Sequence, residues 1–301
     1  MRLLFSSFLS CGLVLQLVGT LTAADPVELP DLVYASPSGT ELRLDFVRPS
    51  GDGPFPVVIC IHGGGWQFGS RKEYRDLQLN FAKMGIASAS VQYRFAPKHR
   101  FPAPLDDVRS AMEHLRDSAA TLRISPQQMA VLGGSAGGHL ALLVAANPPK
   151  GITVRAVLNF AGPTDLARFR ATPNGDRALK QAIQRDSADL LSDLLGTTDR
   201  TAAIYRDASP LAQLTAKMPP VFTIHGKADD IVPFEQAELL HAELKRLGVK
   251  QQLFPIPNGN HDVASWSETS RVLSIVAGME FLKQQLRMIA DNPSREVGTS
   301  R

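Results

Sequence analysis

Six apolar runs without polar alternation recur along the chain, at residues 57–61, 86–91, 129–132, 154–160, 221–224 and 252–256. Such runs suit strands covered on both faces of a parallel sheet. Ahead of them, residues 41–48 alternate polar and apolar, which predicts a half-buried antiparallel strand. A Gly/Pro turn follows at 49–54. Helical periods lie between the runs. Leu105, Val108, Met112, Leu115, Ala119 and Leu122 recur at steps of three and four, as do Ala237, Leu240, Leu244 and Leu247, after which Gly248 reads as a stop. Val272, Leu273, Val276, Met279, Leu282, Leu286 and Ile289 mark a last helix. Strands alternating with helices predict an α/β fold, a mostly parallel central sheet with helices on both faces. Residues 25–290 form that domain, and 291–301 a polar tail. Residues 162–219 break the rhythm, with no strand pattern and a helical signal strongest at 188–195. An insertion of this length is usually functional. It is read as a small partial lid, with packing on the rim as the other reading.

Composition narrows the class. The 301 residues are 44% hydrophobic and 20% charged, ordinary for a globular chain. A formal net charge of +3, with no basic run, gives no footing for nucleic acid. Residues 1–24 read as a signal peptide: Arg2, an apolar stretch, then Thr22-Ala23-Ala24 before a cleavage point. The expectation is an exported protein, periplasmic or secreted, without stable membrane insertion after cleavage. A retained anchor is the alternative, although the run is barely long enough to span. Of two cysteines, Cys11 leaves with the signal and Cys60 sits in an apolar run, so a buried core thiol and no internal disulfide are expected.

The chemistry gathers at Gly133-Gly134-Ser135-Ala136-Gly137-Gly138-His139, between an apolar run and a helical stretch. A G-x-S-x-G in that setting is a candidate nucleophile elbow, with Ser135 on a sharp strand-to-helix turn. A serine hydroxyl is a weak nucleophile without a base, and the base needs an orienting acid. In folds of this class the order is serine, acid, histidine, each after a strand. Asp229 follows the run at 221–224, and His261 follows the run at 252–256. Asp230 competes with Asp229, which spacing from Gly226 favours. His62, His225 and His139 read as residues that hydrogen-bond at strand and helix ends. No H-E-x-x-H or close ligand pair appears, so neither a metal nor a cofactor is expected. The anion formed on attack needs donors, and His62-Gly63-Gly64-Gly65-Trp66 follows the strand beside that of Ser135. The amides of Gly64, Gly65 and Ala136 are the expected oxyanion hole.

These pieces, with Tyr93-Arg94-Phe95-Ala96-Pro97, the stretch 101–108, Ala208-Ser209-Pro210-Leu211 and 225–233, resemble the α/β-hydrolase superfamily over residues 42–282. The chain is most similar there to hormone-sensitive-lipase-like carboxylesterases and bifunctional feruloyl/acetyl-xylan esterases. The resemblance implies hydrolysis of small-molecule or polysaccharide esters through an acyl-enzyme on Ser135, without cofactor. It also implies a structural ion pair of Arg94 with Asp106 or Asp107. Two departures lean to the acetyl/feruloyl type: Gly134 stands where lipase-like members carry Asp, and the strand pattern begins with no helical cap before it. Two other readings keep the same residues. One is a prolyl-oligopeptidase-type peptidase, which shares the order but carries a large extra domain. The other is a silent α/β-hydrolase used for binding, which typically lacks a member of the set.

Overall fold

All six apolar runs coincide with strands, Ile86 standing just ahead of its own, in a computed structural model that describes residues 25–287. The expected signal segment and polar tail lie outside the described residues. The strands are β1 (Val27–Ala35), β2 (Leu42–Arg48), β3 (Phe55–Ile61), β4 (Ala87–Val91), β5 (Ile124–Gly134), β6 (Val154–Phe160), β7 (Val221–Gly226) and β8 (Gln251–Ile256). They form one sheet in the order β1-β2-β4-β3-β5-β6-β7-β8. β2 pairs antiparallel with β1 and β4, and the remaining pairs are parallel.

Successive residues of a strand point to opposite faces, and that sorts the core into two layers. Val57, Ile59 and Ile61 of β3 join a cluster with α2 (Ala103–Asp117), α4 (Ala136–Ala146) and α9 (Glu235–Arg246). Val58 and Cys60 face the other way, toward Leu77 and Phe81 of α1 (Arg75–Lys83) and Met279 and Leu282 of α10 (Glu268–Arg287). The helices therefore cover both faces, as the sequence pattern predicts. Cys60 is fully buried, and burial pushes its thiol far above the ordinary range. No described helix is long and apolar enough to cross a membrane.

Four details differ from the pattern. β1 has no clean alternation because register shifts interrupt its pairing with β2 between Leu29 and Leu32 and between Val33 and Ala35. β8 is an edge strand, so it is only partly buried rather than covered on both faces. The period from Leu105 to Leu122 divides into α2 and a short α3 (Ala119–Leu122). In α10, Leu273 and Val276 are exposed while Ser274 is buried. The helix turns Gly278 to the sheet instead, where an added Cβ would lie 3.0 Å from Leu158. A residue without a side chain lets the helix approach closely, and that rotates two apolar positions outward.

Residues 162–219 hold α5 (Pro173–Ile183), α6 (Ser187–Leu195), α7 (Ala203–Asp207) and α8 (Pro210–Gln213). Polar ties fix them. Thr172 caps α5 by accepting the Gly175 N–H. Asp176 accepts the Ser187 N–H at 2.8 Å, joining α5 to α6, and Asp186 and Asp189 form a capping box at the start of α6. Arg200 donates to the carbonyls of Leu166, Ala167 and Phe169 at 3.2, 3.2 and 2.8 Å.

Candidate active site

Ser135 lies between β5 and α4 with φ 54° and ψ −122°, a conformation that side-chain-bearing residues rarely adopt. Its backbone N–H donates to Phe160 O at 2.7 Å, which ties the turn to β6. The turn is tight enough that a Cβ added at Gly137 would meet Ile61 O at 2.0 Å. Glycine there lets the first turn of α4 sit against β3.

Three side chains from three turns then meet in a line. The Ser135 hydroxyl lies 3.0 Å from His261 Nε2, and His261 Nδ1 lies 2.8 Å from Asp229 Oδ2. Adjacent parallel strands bring this about, because β7 delivers Asp229 and β8, its neighbour, delivers His261. Asp229 Oδ1 accepts the N–H groups of Ile231 and Val232 at 3.0 and 2.8 Å. Both of its oxygens are therefore engaged, and the acid cannot rotate away. Burial alone would push the Asp229 carboxyl up, but His261 and His225 outweigh it and hold it well below the usual carboxylate range. Burial likewise pushes His261 down, and the facing Asp229 reverses that and raises it above its ordinary 6.5. With Nδ1–H committed to the carboxylate, the Nε2 lone pair is left for the serine proton.

Asp230, the competing acid, does not face His261. Its Oδ1 accepts the Thr172 hydroxyl at 2.6 Å and its backbone oxygen the Thr172 N–H at 2.8 Å. It anchors the insertion to the loop that carries Asp229. His225 does more than close a strand: its Nε2 lies 2.8 Å from Val232 O and 3.3 Å from Asp229 Oδ2. The H-G dipeptide ending β7 was the only sequence signal for this contact.

The glycine loop after β3 is held from below. His62 stacks on Tyr93 with ring centroids 4.3 Å apart, and the Tyr93 hydroxyl reaches the carbonyls of His62 and Gly63 at 3.0 and 3.1 Å. Burial pushes His62 and His139 each down to about 4, so both are neutral in the physiological range. His139 Nδ1 accepts the Trp66 indole N–H at 3.2 Å, and its Nε2–H donates to Ala208 O at 2.7 Å. One imidazole thus links the loop, α4 and the insertion. Gly65 and Ala136 border the cavity at Ser135. Gly64 is not among its lining residues. Its φ of 101° and its carbonyl, which accepts from Gln67 and Phe68 at 2.9 and 3.1 Å, shape the turn. Arg94 pairs with Asp107, by Nε at 2.9 Å and a terminal nitrogen at 2.8 Å, while Asp106 is exposed beside Arg109. Phe169, Leu179 and Leu190 of the insertion also line the cavity. Nothing in their spacing pointed to that; only the helical signal at 188–195 hinted that one face was buried.

Comparison with known proteins places the chain. A family model, BD-FAE, matches residues 44–244. Esterase LipC of Mycobacterium tuberculosis is 32% identical over 69% of this chain and 53% of its own length. An ethyl acetate hydrolase of Pseudomonas putida is 35% identical over 80% of this chain and 77% of its own. The chain thus spans about half the length of LipC and most of the second relative. Among solved structures, a bacterial heroin esterase superposes with a TM-score of 0.71 at 25% identity, over 87% of this chain and 84% of that one. The sheet order, the strained serine turn and the match over most of the described sheet lead to one assignment: the chain belongs to the BD-FAE family and has the α/β-hydrolase fold.

Proposed function

We propose that this protein is a serine carboxylic-ester hydrolase working through an acyl-enzyme on Ser135. The observation that carries the reading is the line from Ser135 Oγ to His261 Nε2 to Asp229 Oδ2, at 3.0 and 2.8 Å, on a serine held at φ 54°. His261 Nε2 takes the hydroxyl proton as Ser135 Oγ bonds to the ester carbonyl carbon. Negative charge then develops on the carbonyl oxygen, and the amides of Gly64, Gly65 and Ala136 are the proposed donors to it. Asp229 stabilises the imidazolium formed at this moment without taking its proton. As the intermediate collapses, the C–O bond to the alcohol breaks and His261 returns the proton to the leaving oxygen. Water, deprotonated by His261, then attacks the Ser135 ester and releases the acid by the same steps in reverse.

The substrates are short-chain acyl or aryl esters, with acetyl or feruloyl groups on polysaccharides as the natural class. Likeness to an ethyl acetate hydrolase supports the short acyl side. The signal-like residues 1–24 support action outside the cytoplasm. The test is hydrolysis of p-nitrophenyl acetate by the wild type and Ser135→Ala. Turnover that vanishes in the variant supports the reading, and equal turnover removes Ser135 from it.

A further inference from the structure

The cavity beside Ser135 is small and apolar. The space in which a water-sized group can be centred is only about 20 Å³, which is room for a small acyl group and not for a long chain. The indole N–H of Trp66 is already given to His139. Beyond that indole, Ser135 supplies the only polar side chain on the lining. Apart from Ser135 and the Gly65 and Ala136 amides proposed for the carbonyl oxygen, the lining offers a sugar hydroxyl no partner for the hydrogen bonds it would lose to water. The cavity is therefore on the acyl side of the scissile bond.

Its far wall comes from the insertion. Leu179 of α5 and Leu190 of α6 are both nearly fully buried, as is Phe169. Leu190 reaches across to the glycine loop, where a Cβ added at Gly65 would lie 3.0 Å from its Cδ2. The wall is braced from behind. Arg200 holds the Phe169 carbonyl, Asp176 joins α5 to α6, and the Thr172–Asp230 contact pins α5 to the acid loop. Close-packed interiors resist insertion of extra methylenes.

We infer that Leu179 and Leu190 set the acyl length: they close the acyl pocket so that it takes the methyl of an acetyl ester and turns away longer acyl chains and the feruloyl ring. The inference rests on the ester-hydrolase reading and narrows its substrate class to acetyl esters. The insertion then acts as a size filter built into the site.

The experiment measures kcat/KM of the full chain on p-nitrophenyl acetate, butanoate and octanoate, which share one leaving group. The enzymes are the wild type, Leu179→Ala, Leu190→Ala and the milder Leu190→Val, with Ser135→Ala as the blank. One methylene in an apolar pocket is worth about 10- to 200-fold, so the wild type is expected to prefer acetate to butanoate by about tenfold or more. Either alanine variant is expected to cut that ratio by about tenfold or more, mainly by raising butanoate turnover. Leu190→Val moves the ratio the same way by less, and serves if an alanine variant does not fold. A wild type that hydrolyses butanoate as well as acetate, or a ratio unmoved in folded variants, overturns the inference while Ser135-dependent turnover still stands. No hydrolysis above the blank with any ester overturns the ester-hydrolase reading and the inference with it.

Discussion

Replacing Asp229 by Asn tests the proposed mechanism at the point where the geometry is most constrained. The two oxygens of Asp229 are not equivalent. Oδ1 accepts two backbone N–H groups, from Ile231 and Val232, and only an oxygen can continue to do so. An asparagine must therefore keep its oxygen there and turn its NH2 toward His261. That NH2 faces Nδ1, where the native carboxylate accepts at 2.8 Å. His261 can avoid a clash of donors only by moving its proton to Nε2. In that tautomer it has no lone pair for the Ser135 proton 3.0 Å away. A wrong-tautomer block of this kind lowers kcat by about 10⁴, or about 5.4 kcal/mol at 1.36 kcal/mol per tenfold. The assay is kcat and KM on p-nitrophenyl acetate, beside Asp230→Asn. Asp230 serves Thr172 rather than His261, so its variant keeps kcat within about tenfold, or 1.4 kcal/mol. A loss under about tenfold in Asp229→Asn, or an equal loss in Asp230→Asn, would refute the assignment of the acid.

Two further outcomes follow from the same geometry. His261 acts only when neutral, and its raised pKa means that protonation sets in above the ordinary 6.5; kcat/KM should fall with decreasing pH with a midpoint above 6.5, and a pH–rate profile whose acid limb lies below about 6 contradicts the pairing with Asp229. Asp107→Ala leaves the Arg94 guanidinium without its partner beside a buried site, so urea unfolding should show a loss of about 3–5 kcal/mol with turnover per folded molecule retained; wild-type stability with no turnover would give Asp107 a chemical role instead.

The central sheet was legible in the sequence because parallel strands covered on both faces need apolar residues at nearly every position, and such runs stand out. The weaker elements show where that signal ends. β8 keeps only part of its burial because it has a single neighbour, yet its run could still be read. β1 escaped notice because its irregular register with β2 breaks the alternation that marks an edge strand. The apolar positions that mark α10 do not all face the core, because a glycine rather than a large residue meets the sheet there; hydrophobic periodicity weighs side chains and cannot register the packing value of their absence.

At the site, Ser135, Asp229 and His261 could be named because each follows a recognisable strand, and strand adjacency then brings them together. Spacing from Gly226 favoured Asp229 over its neighbour Asp230, and His261 meets Asp229; which of its two oxygens faces the imidazole was beyond the sequence. The parts contributed by the insertion were also hidden. Leu179 and Leu190 look like any core leucines, and only the fold of 162–219 reveals that their core is the wall of a cavity. The same holds for His139, which joins Trp66, 73 residues before it, to Ala208, 69 residues after it.

The measurement closest to the central claim is covalent trapping of the nucleophile. The protein is treated with diethyl p-nitrophenyl phosphate, p-nitrophenol release is followed, and the labelled peptide is identified by mass spectrometry. The account predicts one diethylphosphoryl group per chain on Ser135, none in Ser135→Ala, and labelling slowed by at least about a hundredfold in His261→Ala. Label on another residue, or labelling of Ser135→Ala at the wild-type rate, would contradict it.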